Sequence, residues 1–326
     1  MRINGLHSGG VITNYRCPSR CRHCLYNCGP ERSGDYIGIE MAEKIFACLN
    51  KEGCRSIHVG GGEPFLNFEG LMAFAESAMK AGIDIEYIET NSAWFKSHED
   101  ALDKLERLLS VGVDCLLLSV SPFHNEYIPL KKFDGVMTAC RQAGMRVFPW
   151  IGEFYHELSR MDNETKHSLN EYAALIGDKS GSDLMYKYSL TMRGRALETY
   201  RGQLRTVSCR ELLERSEPCR NLTGTSHFHI DLFGNYIPGL CTGLSVAIDD
   251  LGSDLSFEKY PLLNSLYAGG IGAAAKIAES HGWEPAKDAY VSKCELCTEI
   301  RCYMIDMEKS SEELNPREYY AEYNNK

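Results

Sequence analysis

The chain lacks any apolar run approaching the roughly 20 residues that a membrane-spanning helix needs. Its first ten residues are polar and glycine-rich, without the apolar stretch of a secretory signal. It also lacks a basic surplus, since 35 Lys and Arg stand against 45 Asp and Glu for a formal net charge of −10. That balance argues against nucleic acid or an anionic membrane as main partner. No internal repeat or low-complexity tract stands out. These absences predict a cytoplasmic globular protein whose thiols stay reduced, so that its cysteines are not disulfide staples. The length of 326 residues, 44% of them hydrophobic and 25% charged, suits one large domain or two with a real core.

Cysteine, by contrast, is plentiful, with 14 in the chain, and four fall in the loop Cys17-Pro18-Ser19-Arg20-Cys21-Arg22-His23-Cys24-Leu25-Tyr26-Asn27-Cys28. No hydrophobic periodicity runs through this loop, and four close thiols in a reducing compartment point to a metal. Paired knuckles, Cys21-x2-Cys24 and Cys24-x3-Cys28 with Cys17 to spare, would satisfy one structural zinc ion. Alternatively, Cys17, Cys21 and Cys24 form C-x3-C-x2-C, a three-thiolate set that can hold three irons of a [4Fe-4S] cluster and leave the fourth open.

A C-x3-C-x2-C loop after a first β-rich run, with Gly60-Gly61-Gly62-Glu63-Pro64 after a second, resembles the radical S-adenosylmethionine (radical SAM) superfamily. The resemblance implies that the open iron chelates the amino and carboxylate groups of SAM. It also implies that Gly61, Gly62, Glu63 and Pro64 form a turn against the amino group, glycine permitting close backbone approach. The family usually carries an aromatic residue just before the third cysteine, against the adenine. Here that position is His23, whose imidazole can stack in its place. Cys28 lies outside the triad and is read as structural.

Short β-rich runs alternate with helical periodicity along the first two-thirds of the chain. Strands are expected over residues 11–15, 55–59, 83–89, 113–120, 145–150 and 183–191, and helices over 39–51, 68–80, 98–109, 131–143 and 162–176. Such alternation implies βαβ crossovers and a parallel sheet. The expected fold is α/β, and the resemblance makes it a partial (β/α)6 TIM-like barrel over residues 1–204. A small cysteine-rich auxiliary-cluster domain and tail would follow over 205–326.

Functional groups of a parallel barrel gather at the C-terminal strand ends. At the third of these stands Thr90-Asn91-Ser92, similar to the family's Thr-Asn-Gly, with the Asn91 amide offered to the SAM carboxylate or ribose. At the fourth, Ser119 and Ser121 resemble the family's ribose and carboxylate motif, and His124 is read as a supporting residue. At the fifth, the residues 150–157, aromatic and titratable, either line a substrate pocket or form a half-buried loop. At the sixth, Gly194-Arg195-Ala196 resembles a turn of relatives with extended C-termini, where the Arg195 fork could clamp a carboxylate.

Beyond residue 205 the rhythm ends and cysteines return as Cys209, Cys219, Cys241 and Cys294-x2-Cys297-x4-Cys302. Residues 229–238 read as a β-hairpin turning at Gly234-Asn235. Cysteine, hairpin, cysteine, gap and C-x2-C resembles the SPASM and twitch extensions, which carry auxiliary clusters. One auxiliary [4Fe-4S] cluster on Cys219, Cys241, Cys294 and Cys297 is expected, with Cys302 able to replace any of them. Zinc on the same thiols is the alternative. Cys48, Cys54, Cys115 and Cys140 are read as small buried apolar residues.

The resemblance implies reductive cleavage of SAM to a 5′-deoxyadenosyl radical that takes hydrogen from an unactivated C–H bond, fed by an electron donor such as flavodoxin or ferredoxin. Relatives with short extensions often modify peptides or proteins, and the string from Cys21 to Pro30 looks most like the peptide epimerases among the maturases of ribosomal peptides. In such enzymes a cysteine thiol returns a hydrogen atom, a role for which Cys241 competes with its role as ligand. A small-molecule substrate such as a sugar or nucleotide derivative stays open. So does a zinc-bound scaffold without catalysis.

Overall fold

The computed structural model describes residues 1–178, 182–307 and 312–324. Ten strands occur among these: β1 Gly9–Ile12, β2 Ser56–Gly60, β3 Asp84–Thr90, β4 Cys115–Leu118, β5 Arg146–Pro149, β6 Val207–Ser208, β7 Phe228–Asp231, β8 Asn235–Ile237, β9 Val246–Ala247 and β10 Ala289–Tyr290. The helices of the first half are α1 Ile39–Lys51, α2 Phe68–Ala81, α3 His98–Ser110, α4 Pro122–Asn125, α5 Leu130–Ala143, α6 Gly152–Leu158 and α7 Leu169–Ile176. The second half adds α8 Ser182–Tyr188, α9 Gly194–Tyr200, α10 Cys209–Glu214, α11 Pro261–Glu279, α12 Lys293–Asp306 and α13 Ala321–Asn324.

Amphipathic periodicity builds the crossovers. On α1, Ala42, Ile45, Phe46 and Leu49 recur every three or four residues and are all buried against the sheet. Helix α2 starts where the Asn67 side chain accepts from the Gly70 N–H at 3.0 Å, and α3 where Ser97 accepts from Asp100 N at 3.2 Å. Strands β1 and β4 are buried at every position, as expected of parallel strands covered on both faces.

One sheet of order β5-β4-β3-β2-β1-β7-β8-β9 organises the molecule, while β10 and β6 pair separately. The ladders from β5 through β1 to β7 are all parallel, and β7-β8-β9 is antiparallel. The fold is therefore α/β, with a parallel central sheet arranged as a partial barrel and a cysteine-bearing C-terminal segment that adds strands to it.

Six strands do run parallel, but the sixth is not the stretch expected at 183–191. Helix α8 occupies most of that stretch. Its Leu184 is buried and Tyr188, four residues on, packs against the core, while Tyr186 between them is 83% exposed. Inward positions four apart fit a helix, and a period of two would have put Tyr186 on the inner side as well. The sixth parallel strand is β7, which lies along the free edge of β1 with Gly9 opposite Phe228 and Ile12 opposite Asp231. The expected hairpin is β7-β8. Among the described residues no helix is long and apolar enough to cross a membrane.

Candidate active site

The loop that follows β1 carries Cys17, Cys21, Cys24 and Cys28, and it is held to the end of β2 by backbone contacts. Gly62 N donates to Asn14 O at 2.7 Å and Glu63 N to Arg16 O at 3.0 Å. A Cβ on Gly62 would stand 2.0 Å from the Arg16 carbonyl oxygen. Only glycine lets the two segments approach this closely. The Asn14 amide tightens the junction by donating to the carbonyls of Arg16 and Glu63, both at 3.1 Å.

Behind this junction lies a cavity of about 360 Å³. It brings together Cys17, Cys21, His23 and Cys24 with Gly61, Gly62, Asn91 and Ser119, and adds Cys28, Glu89, His124, Trp150 and Tyr188. Asn91 Nδ2 donates to Cys17 Sγ at 3.3 Å, and Ser119 Oγ to Glu89 Oε1 at 2.7 Å. His23 packs between Phe123 and Tyr188, with ring centroids 4.7 and 4.6 Å away, and its Nε2 meets the Tyr188 hydroxyl at 2.9 Å. Its Nδ1 is buried without a hydrogen-bond partner.

Glu63, Pro64 and Ser121, expected at the cofactor site, also make contacts within the protein. The Glu63 carboxylate is wholly buried and accepts from Phe65 N, Thr90 Oγ1 and Asn91 N at 3.1, 2.8 and 2.8 Å, which ties the turn to the end of β3. Pro64 is buried and opens the short helical turn Pro64–Asn67. Ser121 Oγ is hydrogen-bonded to His124 Nδ1 at 2.7 Å at the start of α4, so that of this pair Ser119 lies on the cavity wall.

Arg195 is also placed differently from the expected carboxylate clamp. Its guanidinium donates to the carbonyls of Cys21 and Cys28, both at 2.9 Å, and to Glu322 at 2.6 Å, and its own N–H donates to Cys24 O at 3.1 Å. The fork is thus committed to the cysteine loop and shapes it from behind. A Cβ on Gly194 would stand 2.6 Å from the Leu25 carbonyl oxygen, so the turn before Arg195 lies directly on the same loop.

Burial and charge set the protonation of the site. Desolvation pushes Cys17 up to about 12 and Cys21 well above the ordinary thiol range. Cys24 goes the other way, to about 6, because the Cys28 thiol donates to it and Arg195 stands close. Desolvation alone lowers His124 to about 3, and burial raises Glu63 to about 7 against the donors around it. Glu89 is raised by the same cause.

A second cavity, of about 230 Å³, lies in the C-terminal segment and is lined by Cys219, Cys241, Cys294 and Cys297 together with Arg193 and Arg301. Arg193 Nη2 donates to Cys294 Sγ at 3.8 Å. Arg301 is buried and donates to the carbonyls of Thr242 and Cys297 at 2.7 and 3.2 Å. Cys302, further along α12, is not among the lining residues, and neither Cys241 nor its neighbours line the first cavity.

Sequence reasoning found the cysteines and glycines because each sits at a strand end in a recognisable string. It passed over Glu89, whose signal is a carboxylate beside the buried Ile88 and Thr90 at the end of β3. It also passed over Tyr188, which belongs to the stretch misread as a strand.

The parallel partial barrel thus gathers thiols and a glycine turn at its strand ends. Residues 11–172 match the family model described as the Radical SAM superfamily, so the chain carries a radical SAM superfamily domain and is an enzyme of that kind. That superfamily implies a [4Fe-4S] cluster and SAM. Among solved structures, that of native anSMEcpe with bound AdoMet is 14% identical at a TM-score of 0.47, covering 92% of this chain and 98% of that one. The complex of BtrN with AdoMet and 2-DOIA is 15% identical at a TM-score of 0.46, covering 83% and 91%. SuiB of Streptococcus suis, bound to its precursor peptide SuiA, is 14% identical at a TM-score of 0.35, covering 90% and 71%. No curated protein matches the chain.

Proposed function

We propose that this enzyme binds a [4Fe-4S] cluster on Cys17, Cys21 and Cys24 and SAM beside it, and that it takes a hydrogen atom from a C–H bond of a peptide, leading to epimerisation or crosslinking. The observation that carries the reading is the single cavity shared by these three thiols, Gly61, Gly62, Asn91 and Ser119. The donor set fits a cluster better than one zinc ion. Sulfurs on a tetrahedral zinc lie about 3.8 Å apart, from Zn–S bonds of about 2.3 Å. Among the described residues no three cysteine sulfurs fall within 4.8 Å of one another. Thiolates spread over separate irons meet that spacing naturally.

When bound, the cluster and SAM would supply a carbon-centred radical at the 5′ position. The protein's own residues hold and enclose. Arg195 fixes three carbonyls of the cysteine loop, and the Glu63 carboxylate locks the glycine turn to β3. Asn91, already donating to Cys17 Sγ, and Ser119 would hold the polar groups of SAM, with His23 on the same cavity wall toward its adenine. Glu89 on the cavity wall offers a carboxyl to a substrate amide or amine.

For the substrate, the favouring feature is β5. It ends the sheet, and Phe148 and Trp150 at its end are 41% and 51% exposed, Trp150 also lining the cavity. An extended peptide could lie along this edge with backbone hydrogen bonds and present one residue to the cavity. Residues 1–204 would then be the SAM-binding barrel. Residues 205–326 would form the auxiliary module, with a second [4Fe-4S] cluster on Cys219, Cys241, Cys294 and Cys297. The guanidinium groups of Arg193 and Arg301 suit a thiolate-bound, anionic group there. Cys241, which lines the second cavity and not the first, is thereby proposed as a ligand. An electron donor of the flavodoxin or ferredoxin type would complete the system.

The test is iron and acid-labile sulfide per chain after anaerobic purification, in the native protein and in a Cys17, Cys21, Cys24→Ala variant. Roughly eight irons falling to about four is expected for two four-iron clusters. About four falling to none removes the auxiliary cluster, and zinc without iron removes the whole reading. Release of 5′-deoxyadenosine from SAM by the reduced native protein, raised by added peptide, would support the substrate class.

A further inference from the structure

Three histidines belong to neither thiol set, although His58 and His229 line the first cavity. His58 lies on β2, His229 on β7, and His227 just ahead of β7. Gly10 of β1 is in register with His58 on one side and His229 on the other. Because Gly10 has no side chain, the two imidazoles reach over β1 and meet Nε2 to Nε2 at 2.9 Å. A Cβ on Gly10 would stand 2.3 Å from His58 Nε2. The His58 ring is held flat between His227 and Tyr87, with centroids 5.3 and 5.2 Å away and planes within 6° and 12°. One ring nitrogen from each histidine can be chosen so that all three lie within 4.8 Å of one another.

We propose that His58, His227 and His229 form a binding site for a divalent late first-row transition ion of the zinc type, which clamps β7 to β2 across β1. Two nitrogens on one tetrahedral zinc lie about 3.3 Å apart, from Zn–N bonds of about 2.0–2.1 Å. The observed 2.9 Å between His58 and His229 is a few tenths of an ångström short of that, and the His227 ring, now parallel to that of His58, has to turn to bring its in-plane lone pair onto the same ion. His229 Nδ1 is hydrogen-bonded to the Tyr26 hydroxyl at 2.6 Å, which fixes the ring and leaves Nε2 to face the ion. Burial keeps His58 and His229 unprotonated near neutrality, so their lone pairs are available. His227 is exposed and gives an ion access from solvent, while the half-buried His229 and the buried His58 border the first cavity. Three protein ligands leave a fourth position for water. Tyr26 belongs to the cysteine loop, so occupancy of this site also steadies that loop.

The experiment uses the anaerobically purified protein, cleared of loose metal with a mild chelator and dialysed against Zn²⁺ alone. Bound zinc is counted per chain, and its X-ray absorption spectrum separates nitrogen from sulfur neighbours. One zinc with a nitrogen and oxygen shell near 2.0 Å is expected, bound at least about tenfold more weakly in His227→Ala and lost in His229→Gln. His227→Ala changes an exposed side chain. Its metal-free melting temperature and iron content should match the native protein, and zinc should raise the melting temperature of the native protein alone. Zinc bound through sulfur, zinc taken up equally by all three proteins, or none bound by the native protein would overturn the site and leave the trio a hydrogen-bonded core network.

Discussion

Replacing Arg195 with leucine tests whether the cysteine loop is held from behind. Arg195 and Glu322 are buried together, with 8% and 10% of their side chains exposed, and they pair at 2.6 Å. Leucine fills much of the same space but leaves the Glu322 carboxylate only the half-exposed Arg20, 3.5 Å away, so the cost falls toward the lower end of the about 3–5 kcal/mol typical of breaking a buried pair from one side. The Cys21 carbonyl keeps a second donor in Cys24 N at 3.2 Å, whereas the Cys28 carbonyl accepts from Arg195 itself. One orphaned carbonyl adds about 1–3 kcal/mol, less than additively because the groups are neighbours. The expected loss is about 3–5 kcal/mol, a large part of the stability of a typical protein. Glu322→Gln keeps both carbonyl bonds and should lose only about 1–3 kcal/mol. Urea unfolding of the cluster-free chain, followed by circular dichroism, gives both values, and iron per chain after anaerobic purification should fall in the same order. A loss below about 1 kcal/mol for Arg195→Leu, or one no larger than that of Glu322→Gln, would refute the reasoning.

Gly62→Ala drives a methyl group into the Arg16 carbonyl, so it should sharply reduce both iron content and SAM affinity, readable by metal analysis and calorimetric titration; unchanged values would mean that the junction can shift at little cost. Acid should weaken the fold through His124, whose folded value of about 3 lies below the ordinary 6.5. Its contribution is complete above pH 6.5 and is lost as the pH falls toward 3, at up to about 1.4 kcal/mol per unit, because the unfolded chain takes up a proton that the folded chain refuses. His124→Gln should flatten the pH dependence of the urea midpoint by one proton's worth between pH 6.5 and 4.5, and an unaltered slope would count against it. Phe133→Ala, in the fully buried face of α5, should cost about 3–5 kcal/mol in the same unfolding assay, and a cost under 1 kcal/mol would mean that the core closes over the gap.

What the sequence made legible was local. The C-x3-C-x2-C loop and Gly60 to Pro64 are short strings at strand ends, and the first five strands and their helices follow from period and caps within a dozen residues. What it hid was long-range. Nothing near Phe228 says that this strand will lie parallel to Gly9, because that ladder is chosen by two edges brought together in space. Arg195 reads as a cation on offer to a ligand until Glu322 and the loop carbonyls are seen to occupy it. The three histidines carry no spacing signal, since His58 and His229 are 171 residues apart and meet only because Gly10 leaves room. Within 183–191, Leu184, Tyr186 and Tyr188 fit a strand by alternation, and burial of the first and third alone identifies the helix.

The parallel ladder between β1 and β7 also sets a timetable for synthesis. The first strand can pair with β2 early, but its other edge has no partner until Asp231 has left the ribosome. With 171 residues between the paired positions on β2 and β7, and about 5–20 residues added per second, that edge waits for roughly ten to thirty seconds. An open strand edge in a half-made sheet invites pairing with another chain. Slower overexpression and abundant chaperones should therefore raise the yield of intact protein, and a fragment ending before β7 should accumulate as aggregate even though it contains the whole cysteine loop.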